Sequence, residues 1–125
     1  MSNSGILLVA LTALLQVAAN LLLRAGVEQA DGFSLRWATL IQELTNLARQ
    51  PLFDLGFILY GAASLVWFRV ISTENLNSSY PLLVSASFLL VTIGATLFFQ
   101  ESISWQKIIG IGVILAGIVL ISSAK

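Results

Sequence analysis

Four long apolar stretches divide the chain and predict four membrane-crossing helices, at about residues 6–23, 52–70, 80–99 and 105–122. A helix rises about 1.5 Å per residue, so roughly 20 residues span the roughly 30 Å of hydrocarbon in a bilayer. We therefore predict an all-α integral membrane four-helix bundle, with residues 1–125 as a single domain. The third stretch carries no charged residue, and we expect the other helices to surround it.

Pro81 lies near the start of this third stretch. We expect it in the first turn of the helix, where its missing backbone N–H loses no helical hydrogen bond. Ser78 or Ser79 is then the expected N-cap, because a hydroxyl can accept from the free amides of the first turn.

A polar stripe runs along the first stretch, because Thr12, Gln16, Asn20 and Arg24 recur at every fourth residue. Such a spacing drifts slowly around one face of a helix. Two amides at mid-depth should avoid lipid, since an unsatisfied polar group in hydrocarbon is costly. Two interpretations stay open: the amides bind helix one to its neighbours, or they line a polar path or substrate cleft.

Residues 33–49, between the first and second stretches, are amphipathic. Their apolar side chains recur at helical spacing, and charged and amide side chains take the opposite face. A helix over about 34–49 is too polar to span, so we expect it to lie in the membrane interface. Packing on a partner subunit or on its own bundle is the alternative interpretation.

The second and fourth stretches carry distinct side-chain patterns. The second should begin at Pro51 with Asp54 in its first turn, where the helix dipole favours an anion. Its aromatic stripe either packs and meets lipid or walls a ligand site, and it comprises Phe53, Phe57, Tyr60, Ser64 and Trp67. The fourth has Ser104 as its expected N-cap and small residues typical of helix association, namely Gly110, Gly112, Ala116 and Gly117.

Composition supports a membrane protein and excludes several chemistries. Hydrophobic residues make up 58% of the 125 residues and charged residues 10%, against about 25% charged in a soluble domain. Six basic and six acidic residues cancel, so no basic field would attract nucleic acid. The chain has no Cys and no His, so we expect no metal site and no cofactor. No catalytic motif is present, and we expect no enzyme.

Several motifs resemble the drug/metabolite transporter superfamily. The similarity is greatest to small four-helix EamA-type proteins, and among them to the paired subunits of the flippase for undecaprenyl-phosphate-linked aminoarabinose. It is carried by Ser79–Tyr80–Pro81–Leu82–Leu83, Phe98–Phe99–Gln100–Glu101, Ile109–Gly110, Ala116–Gly117, Leu15–Gln16–Val17 and Arg24–Ala25. The resemblance covers nearly the whole chain except about residues 30–50.

This resemblance implies a multi-pass transporter or flippase of the bacterial inner membrane. Its substrate would be a polyprenyl-phosphate-linked sugar or similar amphipathic metabolite, and its partners membrane lipid and a second subunit. The relatives pair through helix four, so a homodimer or a heterodimer with a paralogue would join at Gly110, Gly112, Ala116 and Gly117. The implied substrate-binding residues are Arg24 at the phosphate and Gln16, Asn20 and Tyr80 at the head group. We add Tyr60, Trp67 and Ser85 as further candidate substrate-binding residues.

The small multidrug resistance proteins share this ancestry but differ at two positions. In them a glutamate in helix one carries protons, and the aligned residue here is Gln16, which cannot titrate. The aromatic residue that they carry three positions after the helix-three tyrosine is Leu83 here. Both departures argue against a proton/cation antiporter. The alternatives are a small multidrug or cation exporter, and a non-transporting structural subunit whose segment 33–49 docks a partner.

Overall fold

The computed structural model describes residues 3–123, apart from the side chain of Ser122, and contains five helices in that range. They are α1 (Asn3–Gln29), α2 (Leu40–Ala48), α3 (Pro51–Thr73), α4 (Leu76–Phe98) and α5 (Trp105–Ser123). Between residues 3 and 123 there is no strand, so the all-helical fold is confirmed. Helices α1, α3 and α4 are each long and apolar enough to cross a membrane, whereas the apolar part of α5, Trp105–Ile121, is shorter. The protein is therefore a multi-pass membrane protein.

Helix α1 lies at the centre of the bundle. It packs against α3 and α4, while α5 lies against α4 and α2 touches α3. The buried cluster that joins α1, α3 and α4 consists of Val9, Ala13, Val70 and Leu83. The expectation that the other helices surround the third apolar stretch is therefore wrong. Small buried residues on α1, such as Ala13 and Ala19, let its neighbours approach on more than one side.

Glycine permits the closest contact between α1 and α3. A Cβ added at Gly56 would lie 2.9 Å from both the carbonyl oxygen of Ala19 and the amide nitrogen of Leu23. In the opposite direction, a Cβ on Gly26 would lie 2.6 Å from the backbone nitrogen of Phe53. The two helices therefore meet backbone to backbone, a packing that supplies much of the attraction between helices in lipid.

The start of α4 differs from the expectation. The helix begins at Leu76, so Pro81 lies inside it rather than in its first turn. The carbonyl of Asn75 accepts from the backbone amides of Ser78 and Ser79 and from the Ser79 hydroxyl, which lies 2.8 Å away. These bonds extend the helix back by one turn, and neither serine acts as the N-cap. Pro81 consequently leaves one carbonyl of that turn without its helical donor.

Helix α2 is shorter than the predicted helix over 34–49. Residues 33–39 are not helical, and Leu35 has a φ of 56°, in the left-handed region. The backbone amide and the hydroxyl of Ser34 both donate to Oε1 of Glu43, the hydroxyl at 2.6 Å. This hydroxyl bond is the main reason that the pKa of Glu43 is lowered from its ordinary value. The polar pair thus folds residues 33–39 back against α2.

The predicted starts of α3 and α5 are confirmed, whereas α1 already includes Asn3, three residues before its predicted start. Helix α3 begins at Pro51 and has Asp54 in its first turn. At α5 the Ser104 hydroxyl accepts from the backbone amide of Lys107 at 3.3 Å, as an N-cap does.

The glycine contact between α1 and α3 predicts opposite effects for two alanine variants. Gly56→Ala should lower the free energy of unfolding by about 1–3 kcal/mol, because backbone atoms must move to admit the methyl group. Gly61→Ala is the matched control on the same helix, since an added Cβ there meets nothing within 4 Å. It should be neutral or stabilise by up to about 1 kcal/mol through helix propensity.

Unfolding of the purified protein by titration with a denaturing detergent, followed by circular dichroism, measures both variants. Equal midpoints for Gly56→Ala and Gly61→Ala would contradict the tight α1–α3 contact.

Candidate functional site

Helices α1, α3 and α4 enclose a small cavity of about 190 Å³, which we call the polar notch. Polar and aromatic side chains form most of its wall. The lining residues are Thr12 and Gln16 from α1, Tyr60, Ala63, Ser64 and Trp67 from α3, and Tyr80 and Leu83 from α4.

Helical spacing brings these side chains to one place. Thr12 and Gln16 lie one turn apart on α1, as do Tyr60 and Ser64 on α3. The hydroxyls of Thr12 and Ser64 donate to carbonyls of their own helices, at 2.8 Å and 3.0 Å. Their hydrogens are therefore satisfied without a ligand, while their oxygens can still accept.

Three polar groups of the notch remain available to a ligand. The Gln16 amide and the hydroxyls of Tyr60 and Tyr80 make no side-chain hydrogen bond to any residue in the described part of the chain. Gln16 offers two donors and an acceptor, and each phenol offers one donor and an acceptor. No residue that lines the notch carries a charge. The site is suited to a neutral ligand portion with several hydroxyl groups.

An aromatic pair forms part of the wall between α3 and α4. The rings of Trp67 and Tyr80 lie with their centroids 5.9 Å apart and their planes at 62°, an edge-to-face arrangement. Such pairs contribute about 0.5–1.5 kcal/mol beyond the area they bury. The contact holds Tyr80 in place although the side chain is 55% exposed.

The polar notch continues into an apolar groove along α4. Gln16, Tyr80 and Leu83 line both spaces. The groove has a volume of about 270 Å³, and its further lining residues are Val84, Ser87, Phe88 and Val91. A polar cavity that opens into an apolar one matches a molecule with a polar head and a hydrocarbon chain.

Four of the seven expected substrate-binding residues come together in the notch: Gln16, Tyr60, Trp67 and Tyr80. Asn20 is exposed and lies outside it. Ser85 is 3% exposed and donates to the carbonyl of Leu82 at 3.0 Å, so it is packed inside the bundle. Both positions differ from the expectation.

Arg24 also lies outside the notch, at the end of α1. Its guanidinium pairs with Oε1 of Glu28 at 3.0 Å and with Oε1 of Glu101 at 3.3 Å. It lies 5.1 Å from the centroid of the Phe99 ring. Along the helix axis it is about 12 Å from Gln16, eight residues at about 1.5 Å each. The structure therefore does not bring Arg24 to the head-group residues.

Four residues that line the notch were not among the expected substrate-binding residues: Thr12, Ala63, Ser64 and Leu83. Thr12 precedes Gln16 by one turn and Ser64 follows Tyr60 by one turn, so their spacing was a usable signal. Leu83 follows Tyr80 by three residues on the same face of α4.

The small residues of α5 have open space around them. A Cβ added at Gly110, Gly112 or Gly117 would meet nothing within 4 Å among the described residues, and Ala116 is exposed. Their proposed part in pairing stays a prediction.

Comparison with known proteins identifies the family. The chain is 35% identical over 124 residues to a protein of Proteus mirabilis (strain HI4320). That protein is described as a probable 4-amino-4-deoxy-L-arabinose-phosphoundecaprenol flippase subunit ArnF. The match covers 96% of this chain and 92% of that protein. The chain belongs to the ArnE/ArnF family of flippase subunits. The ArnF protein of Erwinia tasmaniensis is 33% identical over 123 residues, with 94% of this chain and 93% of that protein covered.

The ArnE side of the family matches over a shorter range. The ArnE subunit of Erwinia tasmaniensis is 36% identical over 66 residues, which cover 53% of this chain and 60% of that protein. No protein-family model and no solved structure matches the chain. The ArnE and ArnF relatives are named as flippase subunits, which are transporters rather than enzymes.

Because the chain has no cysteine, single-cysteine variants report directly on the notch. Ser64→Cys places a thiol in the notch wall, and Ser85→Cys places one in the packed interior. A small methanethiosulfonate reagent should modify Ser64→Cys at least tenfold faster, since a buried thiol is shielded from reagent and water. Mass spectrometry of the labelled protein measures both rates. Equal rates would show that the notch is closed to solvent.

Proposed function

We propose that this protein is one subunit of a flippase that moves a polyprenyl-phosphate-linked sugar across the bacterial inner membrane. The relatives' named substrate, 4-amino-4-deoxy-L-arabinose-phosphoundecaprenol, is the first candidate. One observation carries the proposal: the uncharged polar notch opens into an apolar groove through the shared residues Gln16, Tyr80 and Leu83. The proposal includes membership of the EamA-type branch of the drug/metabolite transporter superfamily, which the sequence motifs resemble.

The notch would receive the sugar while the groove receives the first part of the chain. Removing a sugar from water is costly unless its hydroxyl and amino groups find new partners. Gln16, Tyr60 and Tyr80 supply such partners, each bond contributing about 0.5–1.5 kcal/mol net. Hydrogen bonds of this strength offset the loss of water without holding the head group so tightly that it cannot leave.

The proposed membrane arrangement has four crossings. Helix α5 has 19 residues and a length of about 28 Å, close to the thickness of the hydrocarbon layer. Trp105 and Lys107 at its start are residues that favour the membrane surface. Helix α2 would lie in the interface, where Trp37 and Ile41, 92% and 82% exposed, would contact lipid.

A second subunit completes the proposed transporter. Asn20 is exposed on α1 between Gln16 and Arg24, at a depth where an amide facing lipid is costly. The surface of a partner would cover it. The open small residues of α5 offer a face for close approach of a second helix. The partner would be a paralogue, as the names ArnE and ArnF of the relatives suggest, or a second copy of this chain.

The proposed function predicts that two variants of the notch flip the lipid-linked sugar more slowly. Gln16→Ala and Tyr80→Phe should each slow flipping of the lipid-linked sugar about three- to tenfold, because each removes a hydrogen-bonding partner of the head group. Reconstituted vesicles with a membrane-impermeant sugar-modifying reagent outside measure the rate. Gln106→Ala is the control, since it removes an exposed amide at the start of α5. Normal rates in both notch variants would exclude this site.

If two subunits pair through α5, larger side chains on its small-residue face should weaken their association. Gly112→Leu with Ala116→Leu should shift the assembly from dimer to monomer, because the added side chains hold the neighbouring helix away. Gly61→Leu on α3, which also has open space, is the control. Native mass spectrometry of this chain, alone and co-expressed with its paralogue, measures the ratio. An unchanged dimer fraction would place the interface elsewhere.

A further inference from the structure

A third cavity, of about 380 Å³, lies between α4 and α5 and has no part in the notch. Its walls are mainly apolar, with side chains that include Phe88, Val91, Ile111 and Ile114. Its polar end is formed by Glu101, Ser102 and Lys107. This space, which we call the α4–α5 cavity, therefore combines a hydrocarbon-lined interior with a charged mouth.

We propose that the α4–α5 cavity is a second binding site for the isoprenoid phosphate, with the phosphate at the Lys107 ammonium and the chain between α4 and α5. The inference rests on the proposed flippase function and deepens it. It assigns the phosphate to Lys107, a residue far from the sugar-binding notch.

Lys107 is the group at the mouth that can bind an anion. Glu101 also lines this end, but its Oε1 is engaged by the guanidinium of Arg24 at 3.3 Å. Lys107 has no carboxylate at salt-bridge distance among residues 3–123. Its ammonium is therefore the charged group at the mouth that no carboxylate of the described residues engages. A lysine near the membrane surface binds phosphate as a compact point charge with three donors.

The cavities adjoin one another along α4. Phe88 and Val91 line both the apolar groove and the α4–α5 cavity. The path thus follows the helix from Tyr80 in the notch to Thr96 in the α4–α5 cavity, about 24 Å at 1.5 Å per residue. It passes the Ser87 hydroxyl, which is buried and has no hydrogen-bond partner among the described residues. A polar group moving along the path would satisfy it.

The shape of the path favours one extended chain. Groove and α4–α5 cavity follow a single helix one after the other, which fits an isoprenoid chain better than the two acyl chains of a glycerophospholipid. Bulk phospholipid is the competing occupant, and the experiment separates the two.

Native mass spectrometry of the full-length protein, titrated with undecaprenyl phosphate, tests the site. Lys107→Gln should weaken binding of undecaprenyl phosphate about tenfold and change binding of the uncharged alcohol undecaprenol less than twofold. Lys107→Arg keeps the charge and should retain most of the affinity. Arg69→Gln is the charge-matched control, because it removes an exposed cation near the end of α3, at the opposite end of the bundle. It should bind like the unmodified protein.

Three results would overturn the inference: unchanged affinity in Lys107→Gln, an equal loss for undecaprenol, or competition by phosphatidylglycerol as strong as by undecaprenyl phosphate. Flipping by the Gln16→Ala variant separates this inference from the proposed function. If Gln16→Ala stops flipping while Lys107→Gln binds normally, the function stands and the second site fails. If Gln16→Ala flips normally while Lys107→Gln loses binding, the phosphate site stands and the notch mechanism fails.

Discussion

The structure depends on one constraint, which is that hydrocarbon offers no hydrogen-bonding partner to a buried or lipid-facing polar group. The chain meets it by keeping charged side chains near the ends of α1, α3 and α5 and out of α4 altogether. Without charges to join them, the helices associate through close contact, as at Gly26 and Gly56. Hydroxyls such as those of Thr12 and Ser85 donate to their own helices and so add polarity at little cost.

Hydrophobicity along the chain was sufficient to predict the long helices, because a bilayer-spanning segment must be apolar over a fixed length. Hydrophobicity failed to predict the helix ends where local hydrogen bonds determine which residues are helical. The Asn75 carbonyl extends α4 past the position expected from Pro81, and the Ser34–Glu43 pair replaces the first part of the predicted amphipathic helix. Neither interaction produces a repeating pattern of residues that could be recognised in the sequence.

The candidate site was predicted in part for a geometric reason. Each step of four residues turns a helix by about 40° beyond a full circle, so a four-residue stripe rotates by about 120° over three steps. Thr12 and Gln16 share the notch, whereas Asn20 and Arg24 have turned out of it. The aromatic stripe of α3 alternates steps of three and four residues and hardly rotates. It leaves the notch along the helix axis instead, because Tyr60, Ser64 and Trp67 line the notch while Phe57, one turn earlier, is 69% exposed. Spacing alone cannot show which residues of such a stripe contact the neighbouring helix and which lie beyond it.

The packing of α3 and α4 has a mechanical consequence. Each helix is anchored mainly on α1 rather than on the other, and between them runs only a short turn at Glu74 and Asn75. The edge-to-face rings of Trp67 and Tyr80 bridge the gap in which the notch lies. Rocking α4 away from α3 about that turn would separate these two rings and leave the α1–α3 backbone contact intact. The bundle thus joins α1 and α3 through backbone contact and holds α4 on α1 through side-chain packing.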